Sequence, residues 1–438
     1  AKQQGISNGY LKPADGIVKL GDGTGIDRGG ISWKGHCYRV MGTKLVKVYE
    51  DGSITTIGEV GGNDQVTFDY SFDYLGVVSD KKLFLYNGTT LTQVTDSDLG
   101  QVLDFVWVDG YFMTTDGEFL VVTDLNNPFA VNPLKYGSSE ADPDDVKAVL
   151  KIRNEPHAIN RHSIEAFDNI GGSLFPFQRI EGAQIQKGSV GTHSCAVYMD
   201  SIAFLGGGRN EAPAIWLGLN GQTAKLSTRE IDQILQSYNE ATLSQVVFEV
   251  RKEAGLNHLY VRLPDQTLVY DGDTSKQFNR PVWFVLSSGI SDKAQYRGIN
   301  CVWCYDKWIV GDPQSSDFGY LSSSVSSHWG NKVGWEFYTP ILYNEGNGAI
   351  VHELELVSLP GNVSLGDDPS IINQYSRDGQ NWSAEKPINA GKIGDRLKRL
   401  VWRRQGKFDH WIIQRFKGDS DSFISFARLQ ARLESLVF

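Results

Sequence analysis

The sequence predicts an all-β protein: a β-propeller of six or seven irregular blades over residues 1–325, then a C-terminal β-sandwich-like module over residues 326–438. Three observations carry this expectation. A unit of roughly 33 to 50 residues, built from β-rich runs separated by tight turns, recurs between residues 30 and 321. The 47 glycines and 11% aromatic residues favour many strands joined by many turns. After about Ser324 the segment SSSVSSHWGNK is polar and rich in Ser and Gly, as a linker or exposed loop would be.

Taken in order, the first unit joins Ile31–Met41 to Lys44–Val60, with Asp51-Gly52 as its hairpin signal. The second runs from Val66 to Val94, where Asn87-Gly88 plays the same part. The third, Val102–Leu125, carries Asp109-Gly110 and Asp116-Gly117. Further units start near Val146, Gly191, Val246 and Gly298, the one at Val146 being irregular, which makes seven candidates. Antiparallel units of this size bury their faces against one another in a ring and leave only short edges, so a propeller fits better than one sandwich or barrel. One helix interrupts the strands. Ser227-Thr228-Arg229-Glu230 reads as a capping box and Ile231, Ile234 and Leu235 follow at helical spacing, as in a surface helix between blades.

Beyond the polar segment come six further strand-like runs, from Trp335–Tyr343 to Ile424–Glu434. They are read as a sandwich, with closing propeller strands as the competing arrangement. A chain of 438 residues is long enough to bury a sizeable core without disulfide or metal. Four cysteines (Cys37, Cys195, Cys301, Cys304) are too sparse for a disulfide framework and read as reduced apolar fillers. No apolar run approaches the length of a membrane span, so none is expected. The numbering opens at Ala1 rather than Met, so a preceding segment is expected. A net charge of −10 argues against a chain built to grip nucleic acid, yet suits a wall past which a polyanion slides.

Candidate chemistry is thin. Ser376-Arg377-Asp378-Gly379-Gln380-Asn381-Trp382 resembles the S-x-D-x-G-x-x-W box of sialidase propellers, but lacks the residue between Asp378 and Gly379. It is read as a hairpin turn followed by a packed strand tryptophan. Cys301-x-x-Cys304 falls in a strand, where a spacing of three sends the side chains to opposite faces. His157 and His162 lack metal-ligand spacing, Gly21-Asp22-Gly23-Thr24-Gly25 lacks the lysine of a phosphate loop, and no G-x-S-x-G occurs. No catalytic, cofactor-binding or metal-binding residue is therefore assigned.

One charged run stands against the acidic background. Between Arg396 and Arg415 lie seven cations (Arg396, Lys398, Arg399, Arg403, Arg404, Lys407, Arg415) against Asp409, interleaved with Trp402, Phe408 and Trp411. The run reads as a solvated strand face, an interface with an acidic neighbouring subunit, or a DNA contact. Arg399, Arg403 and Lys407 form one stripe if the strand alternates without a bulge, and Arg404 completes the candidate interface set.

The stretch from Gln186 to Leu321 also resembles a known family. Its matching residues are Gln186-Lys187-Gly188, Gly191-Thr192, Asp200-Ser201, Ala203-Phe204, Gly221-Gln222, Ser237-Tyr238, Leu263-Pro264, Leu268–Asp271, Tyr296-Arg297-Gly298 and Gly311-Asp312. Trp402, Arg404, Gly406 and Arg432-Leu433-Glu434 extend the match weakly. The chain resembles the packaged-DNA stabilisation proteins (tail accessory, tail hub or head-completion proteins) of short-tailed bacteriophages. That resemblance implies a virion protein of the tail, made in the bacterial host cytoplasm. It implies a hexameric ring below the portal and its adaptor, the head-to-tail connector. Such a ring extends or plugs the DNA exit channel, retains the packaged genome, and docks a tail needle and tailspikes. DNA in the channel would be met without sequence specificity, and neither catalysis nor a cofactor is implied. Family members carry a further segment before the part matching Gly9-Tyr10-Leu11. The alternatives are a β-propeller glycan-processing enzyme of sialidase or glycosidase type, and a propeller scaffold of a non-viral complex.

Overall fold

Asp109 and Gly110 both adopt positive φ, at 48° and 90°, and turn the chain in two residues so that Val108 faces Tyr111 across an antiparallel pair. Such turns match the right-handed twist of the strands they join, and they divide the chain into sheets. The computed structural model describes residues 10–125, 127–139, 142–253, 255–291, 294–360, 368–419 and 424–436; Gly9 lies outside them.

Seven sheets follow one another along the first three quarters of the chain. Blade 1 comprises Asp27–Trp33, His36–Met41, Lys44–Val48 and Ile54–Glu59; blade 2 comprises Thr67–Tyr70, Leu75–Ser79, Lys82–Tyr86 and Leu91–Gln93. Blade 3 holds Asp104–Val108, Tyr111–Thr115, Phe119–Asp124 and Asn127–Ser138; blade 4 holds Val146–Ile152, Glu155–Asn160, Ile164–Asn169 and Phe177–Arg179. In blade 5, Gly188–Ser189 and Cys195–Tyr198 both pair with Ser201–Gly207, followed by Ala214–Leu219 and Gln222–Lys225. Blade 6 holds Val247–Glu253, Leu256–Arg262, Thr267–Asp271 and Trp283–Leu286. Blade 7 orders Ile299–Cys304, Lys307–Gly311 and Asp317–Ser322, with the early strand Gly16–Asp22 as its outer member. All seven units read from the sequence thus have a sheet.

The first strands of successive blades touch in order, and Ile299–Cys304 returns to touch Asp27–Trp33, so the ring closes. Most of this ring forms one compact unit, Leu20–Leu286 with Tyr296–Phe318. Apolar clusters wedge its blades apart. Leu45, Leu75 and Val77 meet between blades 1 and 2, Leu85, Phe105 and Phe112 between 2 and 3, and Val108, Met113 and Phe167 between 3 and 4. Ile159 and Phe204 meet between blades 4 and 5, and Leu205 and Leu259 between 5 and 6. Each such side chain contributes about 1.5–3 kcal/mol relative to exposure.

The helix after Ser227 spans Arg229–Gln236 and buries Ile231 and Leu235 in the cluster between blades 5 and 6. Its cap differs from the sequence reading. Thr228 is the N-cap and makes no side-chain cap bond. Ser227 is drawn away instead: its Oγ accepts from the Ile215 amide at 3.2 Å and donates to Asp232 Oδ1 at 2.6 Å. Two further helices, the short Glu240–Leu243 and then Gly272–Phe278, carry no comparable signal in the sequence. Asp271 caps the latter by accepting from the Thr274 amide and hydroxyl, and Asn279 ends it at a φ of 50°.

The other compact unit takes Ser287–Gln295, Gly319 onward and the N-terminal residues up to Lys19. Its C-terminal strands form two sheets of their own. One orders Gly334–Tyr338, Trp411–Asp419, Ser370–Ser376 and Lys386–Asn389, with Leu342–Tyr343 also on Trp411–Asp419; the other orders Leu400–Phe408, Ala349–Leu359 and Ser425–Ser435. Leu354, Leu356, Ile371, Trp402, Phe416 and Phe426 pack between them as a sandwich core.

Candidate functional site

The innermost strand of a blade exposes a row of amides unless the preceding blade supplies acceptors. Here it does. The Val66 amide donates to the Arg28 carbonyl at 3.0 Å, and the Phe248 amide to the His193 carbonyl at 2.8 Å. Side chains do the same elsewhere: Trp107 N donates to Asp69 Oδ2 at 2.6 Å, Val149 N to Asp104 Oδ2 at 2.9 Å, and Asn300 N to Glu249 Oε1 at 2.7 Å.

Where blade 7 meets blades 1 and 6 these bonds become a buried charged network. Arg39 has no exposed surface. Its Nε donates to Asp27 Oδ2 at 2.5 Å and its Nη2 to the Asn300 carbonyl at 2.9 Å. Asn300 holds a φ of 53°, donates from Nδ2 to Asp27 Oδ1 at 2.6 Å, and accepts from Gln65 Nε2 at 2.8 Å. Arg262 Nη2 donates to Glu249 Oε2 at 2.9 Å and to the Gly298 carbonyl at 2.7 Å. Arg251 pairs with Glu253 at 2.6 Å and lies over the Tyr260 ring.

Gly29, Gly30, Gln65, His193, Glu249 and Asn300 line a cavity of about 230 Å³ beside this network. Burial pushes the His193 imidazole down to about 4, which keeps it neutral, and pushes the Asp104 carboxyl up to about 7 against the Val149 amide bond. Burial also raises the Cys195 and Cys301 thiols, so neither is a ready nucleophile. Both oxygens of Glu249 are engaged. Among the described residues no group of three or more His, Cys, Asp or Glu is placed to hold a metal ion. Cys301 lies beside Arg251 of blade 6, while Cys304 donates to the Gly35 carbonyl of blade 1 at 3.8 Å, so the two thiols serve opposite faces. His157 is buried against the Glu155 carbonyl.

In the sandwich, Arg403, Arg404 and Lys407 lie in Leu400–Phe408 and Arg415 in Trp411–Asp419, while Arg396, Lys398 and Arg399 precede both strands. Simple alternation fails at Arg404, whose φ is 55°: Leu400, Trp402, Gln405 and Phe408 are buried, while Arg403, Arg404 and Lys407 are exposed. A register shift opposite Val351 and Glu353 marks the same bulge. The odd-numbered stripe is therefore divided. Arg399 and Arg403 share Glu353, Arg399 also pairs with Glu355, and Lys407 pairs with Asp409 at 2.9 Å. Arg415 pairs with Glu336 at 2.6 Å. Arg404 has no acidic partner among the described residues.

The Ser376–Trp382 segment is a turn. The Asn381 side-chain amide donates to Asp378 Oδ2, and the Asn381 and Gln380 backbone amides and the Ser376 hydroxyl donate to Oδ1, which together hold its carboxyl well below the usual range. Trp382, expected to be a packed strand residue, lies outside the strands and half-exposed beside Tyr338 and Arg415.

A closed seven-bladed ring whose axial charges are bonded to one another, with a β-sandwich after it, defines an architectural protein. The chain belongs to the bacteriophage P22 Gp10 family. The family model described as its beta-propeller matches residues 1–326, and that of its beta-sandwich matches residues 334–434. The tail hub protein gp10 of Salmonella phage P22 is 27% identical over 451 aligned residues, covering 98% of this chain and 92% of that protein. The resemblance read from the scattered residues is thus borne out, as are the propeller and the sandwich. Among solved structures, the Neurospora crassa Pan2 WD40 domain is similar with a TM-score of 0.46 and 8% identity, over 71% of this chain and 97% of that one. The N-terminal domain of Nup159 gives 0.45 and 9%, over 74% and 97%. The glycan-processing alternative finds no support in these relatives.

Proposed function

We propose that this chain is the tail hub of a short-tailed phage: a non-enzymatic virion protein that closes the DNA exit path after packaging. In this reading residues 1–325 act as the propeller and 326–438 as a second module. The observation that carries it is the relationship to a tail hub protein over 98% of the chain, through both parts. In this reading a hexameric ring of copies forms the channel, and DNA passes between the copies. A net charge of −10 makes such a wall slide rather than hold.

The portal adaptor, a tail needle and tailspikes are the partners of this ring, and DNA is met without sequence specificity. Arg404, with Arg399, Arg403 and Lys407 around it, meets an acidic patch on a neighbouring subunit. The protein is made in the host cytoplasm, which suits its four free cysteines. Among the described residues, no helix is long and apolar enough to cross a membrane.

Particles assembled without the chain test the reading. They are expected to package DNA to full length and then lose it, as nuclease sensitivity of the genome reports. Retention of the genome with loss of adsorption alone would overturn the stabilising role.

A further inference from the structure

We propose that the outer face of the five-stranded sandwich sheet binds a neutral polysaccharide, along a strip from Tyr343 and Trp411 to Tyr338 and Trp382. Along Trp411–Asp419 the buried side chains are Ile412, Gln414 and Phe416, which leaves Trp411, Ile413, Arg415 and Lys417 on the other face. Tyr343 stands opposite Trp411 and Tyr338 opposite Arg415, so both tyrosines share that face. They are 72% and 47% exposed. The Trp382 ring lies 5.6 Å from that of Tyr338, with the Arg415 guanidinium 5.4 Å and 5.7 Å from the two centroids. From Trp411 to Arg415 the strand advances about 13 Å, the span of a short oligosaccharide.

The chemistry of this strip selects its occupant. Pyranose rings present apolar C–H faces and hydroxyl edges, which match flat aromatic rings bordered by hydrogen-bonding groups. The charges here are already balanced: Arg415 pairs with Glu336 and Lys417 with Glu385. A nucleic acid needs a cationic excess, which the strip lacks. A dry protein partner would strip water from both ion pairs, at a cost their attraction does not repay. A hydrated, uncharged sugar leaves the pairs wet and hydrogen-bonds to them. The inference does not rest on the tail reading, because it concerns the isolated chain.

The test titrates the full chain with dextran, mannan and galactan, following tryptophan fluorescence and heat of binding. At least one polymer is expected to bind and to shift the emission. Tyr343→Ala and Trp382→Ala are each expected to weaken that binding by about tenfold, the worth of one lost ring contact. Circular dichroism of Tyr343→Ala confirms that the fold is kept. Silence from all three polymers, or wild-type binding by both variants, overturns the proposal. So does a sedimentation result in which Tyr343→Ala dissolves a dimer, which would make the face a contact between copies.

Discussion

Arg39 in blade 1 donates to Asp27 at 2.5 Å, with both side chains sealed from solvent, while the same guanidinium reaches the Asn300 carbonyl of blade 7. One ion pair thus fastens the blade that begins the ring to the blade that ends it. Removing either partner strands the other charge in a dry interior, which costs about 3–5 kcal/mol. Arg39→Met is expected to lower the unfolding free energy by about that amount, read by urea titration. Arg39→Met with Asp27→Leu should recover much of the loss. A single variant as stable as the wild type would remove the pair from the closure.

Asp104 and His193 set opposite limbs of a pH profile. Burial raises the Asp104 carboxyl to about 7, above its unfolded value, so its share of stability is present below about pH 4 and is lost as pH rises through 7. Burial lowers His193 to about 4, so its share is present above about pH 6.5 and is lost as pH falls through 4. Asp104→Asn should flatten the alkaline limb alone, and His193→Gln the acid limb alone. Melting temperatures from pH 3 to 9 (about the span of both groups) check this; unchanged limbs would refute it.

Hydrogen bonds from buried charged groups connect blade 6 to Gly298 and Asn300, and among the described residues Arg262 Nε and Nη1 are buried without hydrogen-bond partners. Unsatisfied buried donors weaken a seam. Amides of Ile299–Cys304 are therefore expected to exchange hydrogen faster than those of Asp104–Val108, which adjoin apolar clusters on both sides. Equal protection of the two strands would count against it.

Arg404→Glu is expected to slow incorporation into particles, most visibly at low salt, and to leave folding intact because the side chain is exposed. Reversal of Arg399, which already has Glu355, should disturb incorporation less. Equal incorporation of wild type and Arg404→Glu across salt concentrations would return Arg404 to an ordinary solvated residue.

Turn chemistry made the propeller legible, because Asp109-Gly110 and its counterparts act over two residues and leave a local signal. The axial network left none: Arg39 and Asn300 are 261 residues apart, and nothing near either names the other. The basic run was legible as a run, but its neutralisation was not. Glu353 and Glu355 come from the paired strand, 44 or more residues earlier than the arginines they hold. A one-residue bulge at Arg404 then broke the alternation on which the stripe depended. Ser227 misled for a similar reason, since its hydroxyl was claimed by Ile215 in the neighbouring strand. Local grammar survives folding; partners supplied from afar are invisible to it.

The 261 residues between Arg39 and Asn300 also set a clock on synthesis. A ribosome adding about 5–20 residues per second needs roughly 13 to 50 s to deliver the second of these residues after the first. Throughout that interval blade 1 exists without the neighbour that completes it, and its innermost strand Asp27–Trp33 is an open template. A nascent neighbour offering its own seventh sheet could be captured there, exchanging one chain's closing blade for another's. Crowded polysomes translating this message thus carry a risk of intertwined dimers that a lone ribosome does not, and yield of correctly closed protein should rise as expression is slowed.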